Sequence, residues 1–407
     1  MRGPLLTLQD VHRDEWGRLL ALLVAQFRRL DLAEEGLADA FEAATRTWPE
    51  AGVPDRPAAW LLTAARRRVL DRIRSEAVVA RKEPLLVVDE RTRRAAQGYL
   101  ADPASVVAAA DEITDERLRL VLLCAHPSLP VGSATALTLR LVLGVPTEQI
   151  ASLFLVSKST MAARLTRARQ RLAGSSFDVP GAGELGERVT ALAAVVYLAF
   201  TDGYLPGRDL ALAAEAVRLA RLVHDLLPGS AELRALLALV LLQHSRREAR
   251  LAGSSLVLLP DQDRSLWRYD EIDEALDLLR PLVSAAPEPY LLQALVAAEH
   301  AIAPSAAETD WARIVMRYDE LLGLTDSPVV RLNRAVAVAE ADGPLAGLRA
   351  LDGLTLPGHR LPGVRAELLA RAGRIGEARA AYDVAIGLCD NDPERRLLLA
   401  HRAESCG

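Results

Sequence analysis

The sequence predicts an all-α protein, and three observations support this fold class. Ala, Leu and Arg dominate the composition, whereas aromatic residues make up only 4% of the 407 residues, which favours helices over sheet sandwiches. Apolar residues recur at alternating steps of four and three, the spacing of one face of a helix. Beyond residue 185 the helical pattern is almost continuous, broken by Pro-Gly pairs such as Pro228-Gly229. We expect two small helical domains followed by a helical-repeat domain.

Length and charge divide the chain into two parts. A chain of 407 residues suggests two or three domains, and a composition half apolar and one quarter charged excludes wholesale disorder. Residues 1–175 carry 25 basic and 21 acidic side chains, a net charge of +4. The remaining residues carry 24 basic and 33 acidic side chains, a net charge of −9. A basic front half can contact phosphate, whereas an acidic rear half does so less easily.

Cysteine usage and hydropathy indicate the compartment. Cys124, Cys389 and Cys406 are odd in number and far apart, so no disulfide framework is implied. The first residues lack the apolar stretch of a signal peptide, and apolar runs such as residues 189–200 are too short to span a bilayer. We expect a soluble cytoplasmic protein with no membrane partner.

The front half begins with three predicted helices. Residues 11–30 place Trp16 and four further apolar residues at helical spacing, and a second helix follows with Leu37, Phe41 and Ala44 on one side. Prolines and glycines over residues 49–57 predict a loop. The third helix is expected over residues 58–75, and the charged residues 76–110 are expected to form a flexible linker.

The strongest functional motif is a helix-turn-helix over residues 147–172. A short helix, a turn at residues 155–157 and a second helix with four buried positions are predicted, with Ser157 as the cap of the second helix. Five basic residues and no acidic one lie between residues 157 and 172. Small polar groups and Arg at the start of such a helix suit a reader of the DNA major groove. The alternative is an ordinary helical hairpin with a solvated arginine face.

Two further stripes accompany this motif. The helix from residue 58 carries arginines that project largely away from its apolar side, which suits them to neutralise backbone phosphates. On the second helix, Glu35, Asp39 and Glu42 form an acidic stripe, which cannot be aimed at phosphates and therefore indicates a protein partner. Each stripe alone is equally typical of a solvated helix face.

These segments, in this order, resemble a bacterial sigma factor of the extracytoplasmic-function group. Residues 31–41 resemble the region 2 helix that docks on RNA polymerase, residues 57–74 the helix for the −10 element, and residues 112–172 region 4, which reads the −35 element. Residues 197–204, 244–250 and 259–267 are similar to the subgroup with a C-terminal tetratricopeptide-like extension.

The resemblance implies a domain plan, namely region 2 over residues 1–76, a linker over 77–110, region 4 over 111–175 and a regulatory helical domain over 186–407. It assigns the −35 duplex to the recognition helix through Lys158, Ser159, Thr160, Arg164, Arg167 and Arg171. It assigns the separated −10 strand to Trp60, Arg67, Arg68, Arg72 and Arg74. It assigns core RNA polymerase to Asp31, Glu34, Glu35, Asp39, Phe41 and Glu42.

The implied mechanism is binding and not catalysis, so no enzyme activity, cofactor or metal is predicted. The expected partners are core RNA polymerase, promoter DNA and a protein partner of the C-terminal domain. Residues 181–186 match G-x-G-x-x-G, but no strand precedes them, which argues against a dinucleotide site. Two alternatives stay open: a helix-turn-helix regulator whose helical C-terminal half senses a ligand or a protein, and a helical-repeat scaffold.

Overall fold

The structure, a computed structural model, describes residues 8–80, 110–154, 156–172, 175, 177, 180–204, 210–252 and 255–406. The chain divides into two compact units, residues 1–198 (unit 1) and 199–407 (unit 2). The boundary falls within one helix, Ala182–Gly203. The helices of the described residues that begin in unit 1 are α1 Leu8–Phe27, α2 Leu30–Ala51, α3 Pro57–Ala80, α4 Ala110–Cys124, α5 Val131–Leu141, α6 Thr147–Leu153, α7 Lys158–Leu172 and α8 Ala182–Gly203.

Helices α1, α2 and α3 pack together around fully buried apolar side chains, among them Trp16, Leu20, Leu37 and Leu61. Helix α1 ends at Phe27, three residues before the predicted end, because Arg28 takes a left-handed φ of 53°. Helix α2 continues through Pro49, where a loop was predicted. It ends at Ala51 and is capped by Gly52, which has a φ of 83° and donates its N–H to the carbonyl of Trp48 at 3.0 Å.

Helix α1 also packs against α4 and α5, so that the first three helices and the helix-turn-helix region share one core. Two glycines permit this close approach. A Cβ on Gly17 of α1 would lie only 2.1 Å from the carbonyl oxygen of Val142, and Gly144, with a φ of 72°, lies under the Trp16 ring. The contact between α1 and the 142–144 corner therefore depends on the absence of side chains at two positions.

Unit 2 consists of the end of α8 and a succession of helices that pack on their neighbours in the chain. Its further helices are α9 Ala211–Leu226, α10 Ala231–His244, α11 Tyr269–Leu279, α12 Pro289–Ile302, α13 Trp311–Leu324, α14 Pro328–Asp342, α15 Pro344–Ala350, α16 Arg360–Arg371, α17 Ile375–Leu388 and α18 Asp392–Cys406. Strands β1 (Leu251–Ala252) and β2 (Ser255–Leu256) pair antiparallel, with Leu251 opposite Leu256. Helix α10 is buried on nearly all sides, since α9, α11 and α12 surround it.

The Tyr-Asp pairs at residues 318–319 and 382–383 lie 64 residues apart, and the helix boundaries repeat with the same spacing. Helices α13 and α14 span 311–324 and 328–342, and α17 and α18 span the same positions 64 residues later. Asp319 of the first pair of helices bonds Arg334, and Asp383 of the second bonds Arg402. The two helical hairpins thus repeat in length and in one cross-helix ion pair.

The all-α fold class is confirmed, and the two-residue strands are the only β structure among the described residues. Helix α3 extends to residue 80, beyond the predicted end at about 75. Most of the predicted linker, residues 81–109, lies outside the described residues, as does Leu155 of the predicted turn. In the described part of the chain, no helix combines the length and the apolar character needed to cross a membrane.

Candidate nucleic-acid interface

The predicted helix-turn-helix is formed by α6 and α7. Ile150 of α6 and Met161 and Leu165 of α7 are fully or almost fully buried and hold the two helices together. The Ser157 hydroxyl accepts a hydrogen bond from the Thr160 backbone N–H at 3.1 Å, so the predicted helix cap is confirmed. The apolar spacing and the cap together fix the angle at which α7 presents its other face.

The outward face of α7 carries the residues predicted to contact the −35 duplex. Lys158, Ser159, Thr160, Arg167 and Arg171 are exposed. The Lys158 ammonium lies 3.1 Å from a carboxylate oxygen of Glu148 on α6. The hydroxyls at 159 and 160 lie 2.9 and 2.8 Å from the Ser157 hydroxyl.

Arg164 differs from the other arginines of this face because it is half-buried. Its guanidinium carbon lies 5.6 Å from the centre of the Phe154 ring. An arginine held against an aromatic ring loses less side-chain entropy on binding, because the ring limits its rotamers in advance. Arg164, Arg167 and Arg171, which we call the exposed arginine row, give α7 a cationic face without an acidic partner among the described residues.

The remaining arginine of α7, Arg169, points into unit 1. Its Nη2 lies 2.6 Å from Glu34 Oε2, and Arg140 Nε of α5 lies 2.7 Å from Glu34 Oε1. Glu34 is 7% exposed, and the Arg140 guanidinium also lies 5.2 Å from the Trp16 ring centre. One buried carboxylate of α2 therefore neutralises two arginines from the helix-turn-helix region.

The second basic surface lies on α3. Arg67 and Arg68 are exposed and have no acidic partner among the described residues, and Arg74 is exposed with Asp71 3.4 Å away. Trp60, at the start of α3, is half-buried and meets Trp48 edge to face at 5.6 Å between ring centres. Of the residues predicted to contact the −10 strand, these four reach the surface with at least part of their side chains.

Arg72, the fifth residue of that set, lies against the acidic stripe. It forms ion pairs with Glu35 and with Asp39, the latter at 3.0 Å, and the Arg72 side chain is 34% exposed. Helices α2 and α3 thus join the two predicted surfaces along one edge. A ligand that takes Arg72 releases two carboxylates of α2, and a ligand that takes those carboxylates releases Arg72.

The residues predicted to dock on polymerase are divided between surface and core. Asp31, Glu35 and Glu42 are exposed, Asp39 is half-buried, and Arg29 lowers the pKa of Asp31 through a hydrogen bond. Phe41 lies in the core, 4.7 Å from His12 and 5.8 Å from Trp16 between ring centres.

Glu34 and Phe41 are therefore placed inside unit 1 and not on its surface, because they share the apolar side of α2 with Leu37. The sequence carried a signal for this position. Residues 34, 37 and 41 follow the three-four spacing of a buried face, and Arg140 is the one charged residue of α5. A carboxylate on the apolar face of α2 and an arginine on the apolar face of α5 together indicate a buried ion pair, which was not predicted from the sequence.

Unit 2 contains one group of potential metal ligands among the described residues. Ligand atoms of His359, Cys389 and Glu394 lie within 4.8 Å of one another, although their sequence spacing gave no such indication. His359 Nε2 lies 3.0 Å from Glu394 Oε2, and the Cys389 thiol bonds the carbonyl of Asn391 at 3.4 Å. These two contacts explain why the three side chains lie together at the beginning of α18.

Comparison with known proteins identifies two segments. Residues 119–172 match sigma-70 region 4, and residues 188–283 match a family of unknown function (DUF6596). The chain therefore contains a DNA-binding region of the sigma-factor kind, which confirms that part of the resemblance. The extracytoplasmic-function type and the repeat nature of the C-terminal part stay predictions.

One relative covers almost the whole chain. An uncharacterized protein of Rhizobium meliloti (strain 1021) is 41% identical over 405 residues, which cover 94% of this chain and 93% of the relative. No solved structure matches the chain.

Proposed function

The chain belongs to one family with the uncharacterized protein of Rhizobium meliloti, and from that premise and its sigma-70 region 4 we propose that it is a sigma factor of the extracytoplasmic-function type. In this proposal it binds core RNA polymerase and directs initiation at promoters. Its helical C-terminal part, a tetratricopeptide-like extension, regulates that activity. The protein acts by binding and carries out no chemical step.

The observation that carries the proposal is the face of α7. Within the segment that matches region 4, a capped helix offers exposed Ser159 and Thr160 at its start and the exposed arginine row along its length. Hydroxyls and guanidinium groups are the donors that read base edges and phosphates in the major groove. We infer that this face contacts the −35 duplex.

The −10 strand is assigned to α3 for a second physical reason. Arg67 and Arg68 supply charge for the backbone of a single strand, and the half-buried Trp60 supplies an aromatic surface near them on the same helix. Aromatic stacking and a basic groove are the two elements with which proteins hold separated strands. The aromatic stacking surface is the element that a regulator of duplex DNA alone does not need.

Polymerase docking is assigned to Asp31 and to the acidic stripe, Glu35, Asp39 and Glu42. These carboxylates lie along the surface of α2, and two of them are held by Arg72. A basic surface of the polymerase would replace Arg72 as their partner. Glu34 and Phe41 would contribute to docking only by holding α2 in place.

The test is reconstitution of the full chain with core RNA polymerase. The proposal expects co-elution in gel filtration and promoter-specific run-off transcription. A variant that combines Arg164→Ala with Arg167→Ala should keep co-elution and lose −35-dependent initiation by about tenfold or more, since two guanidinium contacts are removed. Arg13→Ala, which removes an exposed arginine of α1, is the matched control and should transcribe like the wild type.

Two results would overturn the proposal. One is a chain that fails to co-elute with core polymerase yet binds operator duplex by itself, which is the behaviour of an ordinary helix-turn-helix regulator. The other is a double variant with unchanged promoter use, which would remove α7 from the interface. The control variant separates both results from a general loss of positive charge.

A further inference from the structure

Three arginines of unit 2 meet at a place that the proposed function does not use. Arg250 and Arg264 lie in two short 3-10 helices, residues 247–250 and 264–266, and Arg246 precedes the first of them. The two 3-10 helices contact each other, and Arg246 lies near enough to Arg250 and Arg264 for their charges to add to burial in lowering its pKa, and near enough to Tyr204 for that ring to raise it. We call Arg246, Arg250 and Arg264 the arginine cluster. Its members lie in residues 244–250 and 259–267, two of the segments that resemble the subgroup with a C-terminal extension.

Two of these arginines are held rigidly by neutral groups. The Arg250 Nη1 donates to the carbonyl of Tyr204 at 2.6 Å, and its guanidinium carbon lies 3.7 Å from the centre of the Tyr204 ring. The Arg264 Nη1 donates to two carbonyls at the end of α12, those of His300 at 3.0 Å and Ala303 at 2.7 Å. These bonds all use Nη1, and the structure gives Nε and Nη2 of both arginines no bond to any residue that it describes.

The third arginine lacks such bonds. The structure gives the Arg246 side chain no hydrogen bond and no ion pair with any of the residues it describes, although protein atoms surround it closely enough to lower its pKa. It stays half-buried, so a small solute can still reach it. Five guanidinium donors in a confined and accessible position are uncommon without an acceptor.

No carboxylate among the described residues is committed to the cluster. Glu271, which lies close to Tyr204, is bonded to Arg247 and to His244, each at 3.0 Å. Glu394, whose charge acts on Arg250, is paired with His359 at 3.0 Å. These two carboxylates are therefore already neutralised by other partners.

A cluster of like charges costs free energy unless an anion compensates it. The effect is visible on His300, because burial and the charges of Arg246 and Arg264 lower its pKa to about 4. His300 is thus neutral at pH 7 and adds no positive charge to the three guanidinium groups of the cluster. A bound anion would offset their repulsion and use the free donors at the same time.

We propose that the arginine cluster binds a phosphate-type dianion, either inorganic phosphate or the phosphate group of a small phosphomonoester. Three guanidinium groups offer more donors than the two oxygens of a carboxylate can accept, whereas a phosphate monoester has three terminal oxygens and a charge close to −2. Tyr204 positions Arg250 and does not itself face the ligand, because its hydroxyl donates to the Gln243 carbonyl.

A small ligand fits this place better than a nucleic acid does. The arginines are half-buried, and residues 176–407 carry 24 basic and 33 acidic side chains, so this part of the chain repels a long polyanion. The binding site stands independently of the proposed sigma-factor function. In this proposal the C-terminal part binds a ligand with a charge close to −2.

The test is isothermal titration of the full-length chain with inorganic phosphate at constant ionic strength. The wild type is expected to bind one phosphate, and Arg246→Gln and Arg264→Gln should each weaken binding by about tenfold or more, since each removes charge-assisted hydrogen bonds. Arg280→Gln is the matched control, because Arg280 is exposed and paired with Asp277 at 2.7 Å, and it should bind like the wild type. Glycerol phosphate in a second titration distinguishes the sources: tighter binding than inorganic phosphate indicates an ester, and equal or weaker binding indicates the free ion.

A thermal melt without phosphate keeps the proposal testable should a variant be hard to titrate. Removing a structural arginine lowers Tm, whereas removing one of three repelling charges should leave Tm of Arg246→Gln equal to or above that of the wild type. Absence of phosphate binding to the wild type, tighter binding of succinate than of phosphate, unchanged binding by Arg246→Gln, or a Tm of that variant below the wild type would each overturn the proposal.

Discussion

Arginine occurs in two contrasting settings in this protein, the exposed arginine row on α7 and the arginine cluster of unit 2. Neither group has carboxylate partners among the described residues. On α7 the solvent screens the charges, and two of the three side chains are fully exposed. In unit 2 the arginines are half-buried, and burial together with the charges of Arg246 and Arg264 lowers the pKa of the neighbouring His300 to about 4.

The difference indicates what each group can bind. Exposed guanidinium groups along a helix keep their hydration and suit an extended polyanion such as duplex DNA. Guanidinium groups enclosed around one point are poorly screened and suit a single compact anion. A third group, Arg140 and Arg169, is enclosed but has an internal carboxylate, and this group shows how strongly enclosure couples an arginine to its partner.

The largest expected effect comes from that third group. Glu34→Gln removes the charge that neutralises Arg140 and Arg169 and leaves two poorly hydrated guanidinium groups without a counter-charge. We expect unit 1 to lose about 3 kcal/mol of unfolding free energy. Urea unfolding followed by circular dichroism measures the loss.

Glu35→Gln is the control for this prediction, because Glu35 is the next residue on α2 and its side chain is 62% exposed. Its loss should cost less than about 1 kcal/mol. If both variants unfold at the same urea concentration, the enclosed ion pairs do not stabilise unit 1 in the way that the geometry indicates.

The second prediction concerns pH and the arginine cluster. His300 has a pKa of about 4 in the folded chain and about 6.5 in the unfolded chain, so the unfolded chain binds a proton first as the pH falls. Between pH 7 and pH 5 this difference should remove up to about 2 kcal/mol of unfolding free energy. His300→Gln should reduce the loss over the same range, measured by chemical unfolding in phosphate-free buffer.

The wild-type profile alone does not isolate this contribution. Burial raises the pKa of Glu288 to about 7, so the folded chain binds a proton there first, and the stability from that group increases as the pH falls from 7 towards 4.5. The informative quantity is therefore the difference between wild type and variant. Parallel curves for the two proteins would show that the cluster does not hold His300 neutral.

The third prediction concerns the exposed arginine row. Arg167→Ala should weaken binding to promoter DNA by roughly 1 kcal/mol and reduce the slope of log affinity against log salt concentration by about one. Arg167 is exposed, and its one recorded hydrogen bond goes to the carbonyl of Ala163, so its loss should leave the fold unchanged. Fluorescence anisotropy at several salt concentrations provides both values, and a variant with the wild-type slope would exclude a phosphate contact at this position.

The features of unit 1 that depend on neighbouring residues in the sequence could be predicted with good accuracy. Helical spacing predicted four buried positions on the second helix of the helix-turn-helix, where Met161 and Leu165 are buried, and the Ser157 cap was predicted from residue type alone. These features depend on neighbours within one or two turns. The match to sigma-70 region 4 over residues 119–172 rests on the same local pattern.

Features that depend on distant residues could not be predicted in this way. The partner of Glu34 lies 106 residues away at Arg140, and the arginine cluster joins residues 246 and 264 to Tyr204 through the packing of unit 2. Arg246 lies in the turn between α10 and the 3-10 helix over residues 247–250, and sequence spacing does not show which side chains surround it. The glycine at position 17 likewise gave no sign that Val142 would approach it.

The prediction with the smallest expected effect tests whether an arginine depends on a carboxylate partner only where protein atoms enclose it. Asp319 pairs with Arg334 between α13 and α14, and the Asp319 side chain is 51% exposed. Asp319→Asn should cost only about 0.5 kcal/mol, because water hydrates the released guanidinium and the pair is screened by salt. Asp383→Asn, which breaks the corresponding pair with Arg402 one repeat later, should cost the same. Urea unfolding of both variants beside Glu34→Gln compares two exposed carboxylates, each with one arginine partner, with one buried carboxylate that has two. A cost near 3 kcal/mol for either exposed pair would mean that arginine depends on its carboxylate wherever it lies, and the distinction between the exposed row and the enclosed cluster would lose its physical basis.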